Sequence, residues 1–424
     1  MRVYIISCVY PPEVVTEANT ARDIADAMTQ RGHDVTVFAP FPNRPTGKVM
    51  SGYRRSLRHV EQRDGYRIIY SWHTVSKNST LASRTAENVT FGLSSTWQLM
   101  REPKPDVVFM NTWPICAEWM NMRALTRHNV PVICVVKDLY PETLAHQMHD
   151  QHPVMRLTHA ISSQIYHDST IVAPLNPLMS EHIIKTRGLS PNKTQVIQDW
   201  VDASQFPKNK PKNGNFRQKY DLSPDLFLAM YVGSMTRMAG LELYVETAQR
   251  LRSRPDIRLL LVGDGSERDL IETMIREKNL DNIQMIYPLQ PDDVPDVQAA
   301  ADTLMFSLLP GAAEHTTPSK LIFYMFSQRP ILANVNIDSS PADIIHTANC
   351  GYVMRQGDPD GLAAQLERMA DDRPSLQQLG DNARAYAEEN FLKDSVLPHV
   401  CDLLEQTAGF DSHVHDTRVL TTVS

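Results

Sequence analysis

The stretch from residue 304 to residue 333, LMFSLLPGAAEHTTPSKLIFYMFSQRPILA, most constrains what this chain can fold into. A short apolar run is followed by a polar loop, by an amphipathic pattern that starts at Ser319, and by a second apolar run at Ile331. Strand, loop, helix and strand in this order form the unit of a parallel α/β sheet. Ligands of such sheets bind in the loops beyond the carboxyl ends of the strands.

The loop and helix in this stretch predict a binding site for an anion. A serine or threonine before the helix can cap it, and the N–H groups of the first helical turn attract a phosphate. Lys320 adds a mobile positive charge beside these groups. An ordinary capped helix of an α/β domain explains the same residues and remains open as the alternative.

Strand and helix patterns alternate along nearly the whole chain and predict two domains. At 424 residues the chain is too long for one typical core. A compositional break at the lysine-rich KNKPKNGN of residues 208–215 places the boundary near residue 200. We expect an N-terminal domain over residues 1–200, a C-terminal domain over residues 201–390, and a helix and tail over residues 391–424 that can return to the N-terminal domain. Buried strands are predicted at residues 3–9, 34–39, 66–70, 106–110, 132–136 and 170–172, then at 227–232, 258–262, 283–286 and 351–354.

Composition excludes several classes of protein. A formal net charge of -7 argues against a nucleic-acid binder. The five cysteines are widely spaced and form no CxxC pair, so they predict buried thiols in a reducing compartment, with no zinc site. No GxGxxG fingerprint follows the first strand, which removes the main support for a dehydrogenase. The apolar run at the N-terminus breaks at Pro11 and predicts a core strand of a cytosolic protein.

A polar, basic segment over residues 41–64 permits two interpretations. It is either a solvated loop or a contact with anionic lipid or a phosphate-bearing acceptor. The helix predicted over residues 80–101 either packs on the sheet or enters a bilayer surface, and packing is the preferred prediction. Its apolar residues are Leu81, Phe91, Leu93, Trp97, Leu99 and Met100.

Two further loops of the second half have the composition of phosphate-binding loops. In YVGSMTRMAGLE, Gly233 allows a tight turn after a strand, and Arg237 can pair with a pyrophosphate. In VGDGSERD, Gly263 and Gly265 flank Asp264, and Ser266 is predicted to cap the next helix. Turns require glycine in any case, so each loop alone is weak support.

Taken together, these motifs resemble those of a known family. The series YVGS, GLELYVETA, LLLVGDGSERDLIE, TTPSKLIFYMFSQRPILANV and ANCGYVMRQGDPDGLAAQLERMADD resembles the nucleotide-sugar domain of the retaining GT-B glycosyltransferases of family 4. The N-terminal YPPEVVTEANTARDIADAMTQRGHDVTVFAPFPNRPTGK resembles the acceptor domain of members that build bacterial surface polysaccharides, including fucosamine transferase-like members. The resemblance implies an α/β fold of two Rossmann-like, doubly wound parallel-sheet domains that face a central cleft.

The resemblance also implies an activity. It is the transfer of a hexose from a nucleotide diphosphate sugar, with retention at the anomeric carbon, to a glycan or polyprenyl-linked acceptor in surface polysaccharide biosynthesis. Such enzymes need no metal and no cofactor, and the leaving phosphate of the donor accepts the proton of the acceptor. We therefore expect a nucleotide-sugar partner, no nucleic acid, and a cytoplasmic location at the inner face of the membrane with peripheral membrane contact.

Site residues follow from the positions that match the family. The motif VVKDLYPETLA resembles DLWPES, although Asp138 and Glu142 can instead cap the next helix. Residues expected to act in catalysis are Lys137, Asp138, Glu142, Glu314 and Lys320. Residues expected to bind the donor are Gly233, Ser234, Arg237, Gly263, Asp264, Gly265, His315, Thr317, Pro318, Ser319 and Lys320. Residues expected to bind the acceptor, in the loop after the first strand, are Glu13, Thr16, Glu17 and Asn19.

Four positions depart from the family pattern. Ser234 and Ala239 stand where an arginine and a lysine usually hold the diphosphate, and His315 and Phe323 stand where two glutamates are usual. A one-residue shift would let Glu314 replace the first glutamate. These departures motivate a second hypothesis, a GT-B scaffold or binding subunit without transferase activity. A sugar-nucleotide epimerase of the same architecture has less support, because its acid and base carboxylates are not recognisable.

Overall fold

The computed structural model describes residues 1–13, 16–44, 46–77, 80–111, 114–142, 152–310 and 316–410. The chain divides into two compact units. The first unit contains Met1–Trp200 and the segment that begins at Asp394, and the second contains Val201–Lys393. Among the described residues, no helix is long and apolar enough to cross a membrane.

A seven-stranded sheet forms the centre of the first unit. Its strands are β1 (Arg2–Ile6), β2 (Asp34–Pro40), β3 (Arg58–Arg63), β4 (Tyr66–Ser71), β5 (Val107–Asn111), β6 (Val132–Val136) and β7 (Ile171–Pro174). Their order is β3-β4-β2-β1-β5-β6-β7, and every pair is parallel except β3 with β4. The parallel strands are continuous apolar runs because both faces of the sheet are covered.

Of the described helices in this part of the first unit, four lie between these strands and a fifth follows β7. They are α1 (Thr16–Gln30), α2 (Leu81–Leu99), α3 (Ile115–Arg127), α4 (Pro153–Asp168) and α5 (Pro177–Arg187). Local sequence sets their ends: the Thr80 side chain accepts a hydrogen bond from the Ser83 amide and caps α2, while Asn176 caps α5 and Gly188, with φ of 64°, ends it.

Two sequence-based expectations in the first unit are wrong. The basic segment was expected to be a loop, but residues 58–63 form the edge strand β3, which pairs with β4. It was not recognisable because the side chains of RHVEQR are exposed or half-buried and show no apolar period. The acceptor candidates Thr16, Glu17 and Asn19 were placed in the loop after β1, but they belong to the first turn of α1.

The second unit has a six-stranded parallel sheet. Its strands are β8 (Phe227–Val232), β9 (Ile257–Val262), β10 (Ile283–Ile286), β11 (Thr303–Ser307), β12 (Ile331–Asn334) and β13 (Gly351–Met354). Its helices are α6 (Asn215–Lys219), α7 (Glu242–Arg250), α8 (Arg268–Glu277), α9 (Val294–Ala299), α10 (Ser319–Phe326), α11 (Ser340–Thr347), α12 (Pro359–Asp371) and α13 (Ser375–Asn390). Apolar clusters cover both faces of this sheet.

The last helix, α14 (Lys393–Thr407), packs into the core of the first unit. The Arg31 guanidinium donates to Asp402 at 2.6 Å and to Glu405 at 3.0 Å. The imidazole Nε2 of His33 lies 2.8 Å from the other Glu405 oxygen, and both side chains are buried. The buried partner of His33 therefore belongs to this helix.

Candidate functional site

The strand order of the second unit defines where a ligand can bind. The order is β10-β9-β8-β11-β12-β13, so the chain winds outward from β8 in one direction and then from β11 in the other. The neighbouring strands β8 and β11 form the topological switch point, where open α/β sheets bind ligands beyond the carboxyl ends of the strands. The loops after β8, β9 and β11 and the first turn of α10 follow these ends.

The predicted glycines make close contact between two of these loops possible. A Cβ atom on Gly263 would lie 2.1 Å from the Gly233 carbonyl oxygen, and one on Gly265 would lie 2.3 Å from the Met235 carbonyl oxygen. The Met235 amide also donates to the Asp264 carbonyl at 2.9 Å. Gly263 and Gly265 are therefore required for loop packing.

Gly233 has a different neighbour. It has a φ of 143°, and a Cβ atom there would lie 2.7 Å from Cε and 3.1 Å from Nζ of Lys320. The glycine at the end of β8 therefore makes room for the lysine of α10. Two residues that are 87 positions apart in sequence and were predicted separately as donor-binding are in direct contact.

The Lys320 side chain is half-buried against Tyr231 and Gly233. Its ammonium is hydrogen-bonded to the Tyr231 hydroxyl and lies 3.8 Å from the centroid of that ring. Burial lowers the pKa of Lys320 from 10.5 to about 7, and no anionic group among the described residues compensates for the lost water. The side chain therefore carries a proton only part of the time near neutral pH, and an incoming anion would restore its charge.

Two tyrosines that the sequence analysis did not select hold this arrangement. The Tyr231 hydroxyl donates to the Ser234 carbonyl at 2.6 Å. The Tyr324 hydroxyl accepts from the Val232 amide at 2.8 Å and donates to the Val232 carbonyl at 3.1 Å, which joins α10 to the end of β8. Tyr324 follows Lys320 by four residues, and this helical spacing was the available signal.

The start of α10 differs from the prediction. Pro318 is the N-cap, and no described side chain caps the helix, so the expected capping by serine or threonine is wrong. Ser319 and Lys320 are the first helical residues, and Thr317 is buried just before them. The N–H groups of this first turn therefore remain oriented for an anion.

The loop after β8 also contacts the loop after β11. The Leu309 amide donates to the Met238 carbonyl at 2.9 Å, and Gly240 approaches the Leu309 side chain. Arg237 and Ser234 are exposed beside this contact. Glu314 and His315 lie outside the described residues, so their predicted roles have no structural description.

The structure also describes Asp264, Ser266 and Phe323, three positions that the sequence singled out. The Asp264 carboxylate accepts from Arg268 at 3.1 Å and from the Gly265 amide at 2.8 Å. Ser266 does not cap α8, whose N-cap is Glu267 without a side-chain bond, so that prediction is wrong. Phe323 stacks on Phe206 with ring centroids 5.6 Å apart. Its position presents no polar group for a ribose.

The first unit has its own switch point, between β1 and β5. A small cavity at the ends of these strands is lined by Ser7, Glu17, Thr20, Asn111 and Lys137, among others. Two of these, Glu17 and Lys137, were predicted site residues.

Lys137 and Asp138 lie in a charged environment at this switch point. The Lys137 ammonium pairs with the Asp199 carboxylate, a partner that the sequence analysis did not identify. Burial and the charge of Glu17 raise the pKa of the Asp138 carboxyl, while Lys137 opposes this change. A carboxyl with a raised pKa beside a cation is typical of binding and proton-transfer sites.

The Glu142 side chain is held by two residues of α5, Arg187 and His182. Its carboxylate accepts from Arg187 at 2.8 Å through each oxygen and lies 2.8 Å from His182 Nε2. Burial alone would raise its pKa, but the His182 hydrogen bond and the Arg187 charge lower it to about 2. Residues 143–151 lie outside the described residues, so the alternative that Asp138 and Glu142 cap the next helix stays untested.

The remaining acceptor candidates have different environments. Glu13 is buried, and its Oε1 accepts from the amides of Asn43 at 2.7 Å and Arg44 at 2.9 Å. It therefore fixes the loop after β2. Asn19 is exposed on α1, and Thr16 begins that helix.

Two family models match this chain. The model described as Glycosyl transferase 4-like domain matches residues 17–200, and the model described as Glycosyl transferases group 1 matches residues 212–386. Each match falls in one of the two structural units.

Known proteins agree with these matches. The WcaI protein of Escherichia coli, named as a glycosyl transferase of colanic acid biosynthesis, is 24% identical over 330 residues, which cover 76% of this chain and 80% of that protein. Sucrose-phosphate synthase from Thermosynechococcus elongatus superposes with a TM-score of 0.73 at 17% identity, over 96% of this chain and 98% of that chain. Anabaena HepE, solved with UDP-glucose, superposes with a TM-score of 0.68 at 14% identity, over 96% and 100% of the two chains.

Two α/β units with parallel sheets, each with a switch point, define the GT-B fold, as the structural neighbours show. Because its first unit matches the Glycosyl transferase 4-like domain and its second unit matches the group 1 domain, the chain belongs to the GT-B glycosyltransferases.

Proposed function

We propose that the protein is a retaining glycosyltransferase that uses a nucleotide diphosphate sugar and adds the sugar to a glycan or lipid-linked acceptor in polysaccharide biosynthesis, without a metal ion. The observation that carries the proposal is the position of Lys320, which lies at a switch point on the uncapped first turn of α10 and against Gly233. The relatives support it, since WcaI is named for a polysaccharide pathway and HepE was solved with UDP-glucose.

The chemistry requires positive charge where the donor bond breaks. As the sugar leaves, negative charge grows on the diphosphate, and preorganised donors stabilise it. The N–H groups at the start of α10 supply part of this stabilisation, and Lys320 supplies the rest once it is protonated. Tyr231 acts as a positioning residue, because its hydroxyl holds the Lys320 ammonium while its ring excludes water.

The experiment replaces Lys320 by methionine, which keeps the length and apolar volume of the side chain. We expect kcat/KM to fall by about 10²- to 10³-fold, the loss that is typical when one donor to a developing anion is removed. The matched control is Lys278→Met, a lysine at the end of α8 whose ammonium contacts Gln249. Equal activity of wild type and Lys320→Met would reject the proposed role.

The pH dependence gives a second readout on the same site. Binding of a diphosphate requires protonated Lys320, so we expect the affinity to fall by up to about tenfold per pH unit above pH 7, where the terminal phosphate of the nucleotide is already ionised. Calorimetry with UDP, GDP and dTDP between pH 7 and pH 9 measures this, and Lys320→Met should abolish the pH dependence in that range. A pH-independent affinity in the wild type would contradict it.

Two further measurements separate the components of the proposal. Activity after treatment with a chelator tests metal independence, and NMR of the product anomer tests retention.

Phe323, stacked where a polar group is usual, motivates the scaffold hypothesis. Nucleotide binding without turnover on any sugar nucleotide would favour that hypothesis.

A further inference from the structure

Asp199 lies in a segment that two hydrogen bonds fix to the first unit. The Ile197 amide donates to the Pro174 carbonyl at 2.9 Å, which holds the segment beside β7. The indole N–H of the buried Trp200 donates to the Asp23 carboxylate of α1 at 3.0 Å. The backbone on both sides of Asp199 is therefore held in place.

The Asp199 carboxylate accepts a hydrogen bond from the Lys137 ammonium, 62 positions away in sequence. The side chains of Lys137 and Asp199 are only 13% and 15% exposed. Water competes less for the charges of a partly buried ion pair than for those of an exposed one, so the pair holds its geometry more firmly. The position of Asp199 therefore determines where the Lys137 ammonium lies.

This ammonium belongs to a residue that lines the small cavity at the switch point between β1 and β5. The cavity has a volume of about 10 Å³, which holds one water molecule or one hydroxyl group. Its lining contains a cation, Lys137, and an acid, Glu17. An ammonium only donates hydrogen bonds and a carboxylate only accepts them, whereas a hydroxyl does both. The lining therefore suits one hydroxyl that accepts from Lys137 and donates to Glu17.

A second carboxyl, that of Asp138, competes with Asp199 for Lys137. Burial and the charges of Glu17 and Asp199 raise the pKa of Asp138, and the charge of Lys137 opposes them. Without Asp199, Lys137 would be attracted to Asp138 instead, and its ammonium would leave its present position. The titratable groups of the described residues that interact with Asp138 are Glu17, Lys137, Tyr140, Tyr166 and Asp199.

We propose that Asp199 is a positioning residue for the acceptor. It holds the Lys137 ammonium at the cavity, where Lys137 and Glu17 bind one hydroxyl group of the acceptor. The identity of this ligand rests on the proposed transferase function. Asp199 acts through Lys137, so its effect disappears when Lys137 is replaced by a residue without charge.

The test is a double-mutant cycle of Asp199→Asn and Lys137→Met. Its first readout is the titration of the Asp138 carboxyl, followed by NMR of isotope-labelled aspartate and assigned with Asp138→Asn. We expect Asp199→Asn to lower the Asp138 pKa by about one pH unit, because it removes a negative charge and releases a positive one. The same substitution in the Lys137→Met background should lower this pKa at most about half as much, because only the first effect remains.

The second readout is transfer from UDP-, GDP- and dTDP-sugars to a panel of octyl hexosides. We expect KM for the hexoside to rise about tenfold in Asp199→Asn and in Lys137→Met, and no further in the double variant. Asp199→Glu, which keeps the charge, should stay within about threefold of the wild type. The matched control is Asp168→Asn, which removes a carboxylate of the same unit beside Arg123 and should leave KM unchanged.

Either of two results would overturn the proposal. One is an Asp138 pKa that Asp199→Asn lowers equally in both backgrounds, and the other is a pair of KM effects that multiply in the double variant. The titration needs no substrate. Absence of turnover in the wild type would therefore contradict the transferase function, while the titration still decides whether Asp199 positions Lys137.

Discussion

Lys320 and Glu142 show that the environment of a charged residue, rather than its type, decides its role. Both were predicted to act in catalysis. Lys320 has no anionic partner in the part of the chain that the structure describes, and burial brings its pKa to about 7. Glu142 is held by Arg187, whose side chain is 1% exposed, and by His182. A carboxylate that is fully engaged in this way stabilises the fold and has little capacity left for a substrate.

We therefore expect Glu142→Gln to lower the free energy of unfolding of the first unit and to have little effect on the rate of the reaction. The folded-state pKa of about 2 lies below the ordinary value of 4.5, so the carboxylate contributes about 3 kcal/mol above pH 5. This contribution is lost as the pH falls from 4.5 toward 2. Urea unfolding at pH 7 and pH 3, followed by tryptophan fluorescence, should show a difference that shrinks to roughly half at pH 3.

The same variant separates structural from catalytic roles. Assayed well below its unfolding temperature, Glu142→Gln should keep kcat within about threefold of the wild type, which is far from the loss expected for a catalytic acid. A stable variant with a large loss of kcat would return Glu142 to the catalytic machinery.

At the scale of elements, α3 contains a buried acid that the proposed mechanism does not use. Glu118 is 0% exposed, and neither carboxylate oxygen has a hydrogen-bond partner among the described residues. Burial raises its pKa well above the ordinary value. The folded protein therefore keeps a proton that the unfolded chain releases above pH 4.5.

This proton makes stability depend on pH in a defined direction. Because the folded state binds the extra proton, wild-type stability falls as the pH rises from 5 toward the folded-state pKa. Glu118→Gln removes the titrating group. The free energy of unfolding of this variant, relative to that of the wild type, should therefore rise by about 1.4 kcal/mol per pH unit in that range. Denaturant unfolding between pH 5 and pH 8 measures this.

The control for this prediction is Glu181→Gln, an exposed glutamate on α5. Its stability difference from the wild type should stay constant over the same pH range. A constant difference for Glu118→Gln as well would mean that the Glu118 carboxyl is ionised in the folded protein.

The sequence predicted elements well where burial alone determines them. Parallel strands such as β8 and β9 are uninterrupted apolar runs, and their positions agree with the prediction to within a residue. The edge strand β3 was not predictable, because its pairing partner rather than its own pattern makes it a strand. The end of α2 was predicted, but the choice between packing and exposure for Trp97 depends on neighbours that only the folded unit supplies.

The candidate site was predictable in the same partial way. Gly233 and Lys320 were identified because the loops after parallel strands hold ligands. Tyr231, Tyr324 and Asp199 were not identified, because a buried hydroxyl or a paired carboxylate acquires its role from a partner distant in sequence. Local patterns contain no information on such partners.

At the scale of the whole molecule, the tryptophans and the proposed donor-binding residues belong to different units. The residues proposed to receive the diphosphate, among them Gly233 and Lys320, all belong to the second unit. All five tryptophans of the chain lie between residues 72 and 200, in the first unit. The C-terminal helix α14 is bound to the first unit through Arg31, His33 and Glu405. Tryptophan fluorescence and nucleotide calorimetry therefore report on different units of one chain.

This arrangement predicts that a substitution in α14 destabilises the first unit without changing nucleotide affinity. Glu405→Ala leaves Arg31 and the buried His33 without their shared partner, so we expect the first unit to lose about 3 kcal/mol in unfolding followed by tryptophan fluorescence. Nucleotide affinity, measured by calorimetry below the unfolding transition, should not change. The control is Asp402→Ala, whose carboxylate is 47% exposed, and it should cost less than about 1 kcal/mol. A loss of nucleotide affinity in the folded Glu405→Ala variant would contradict this expectation.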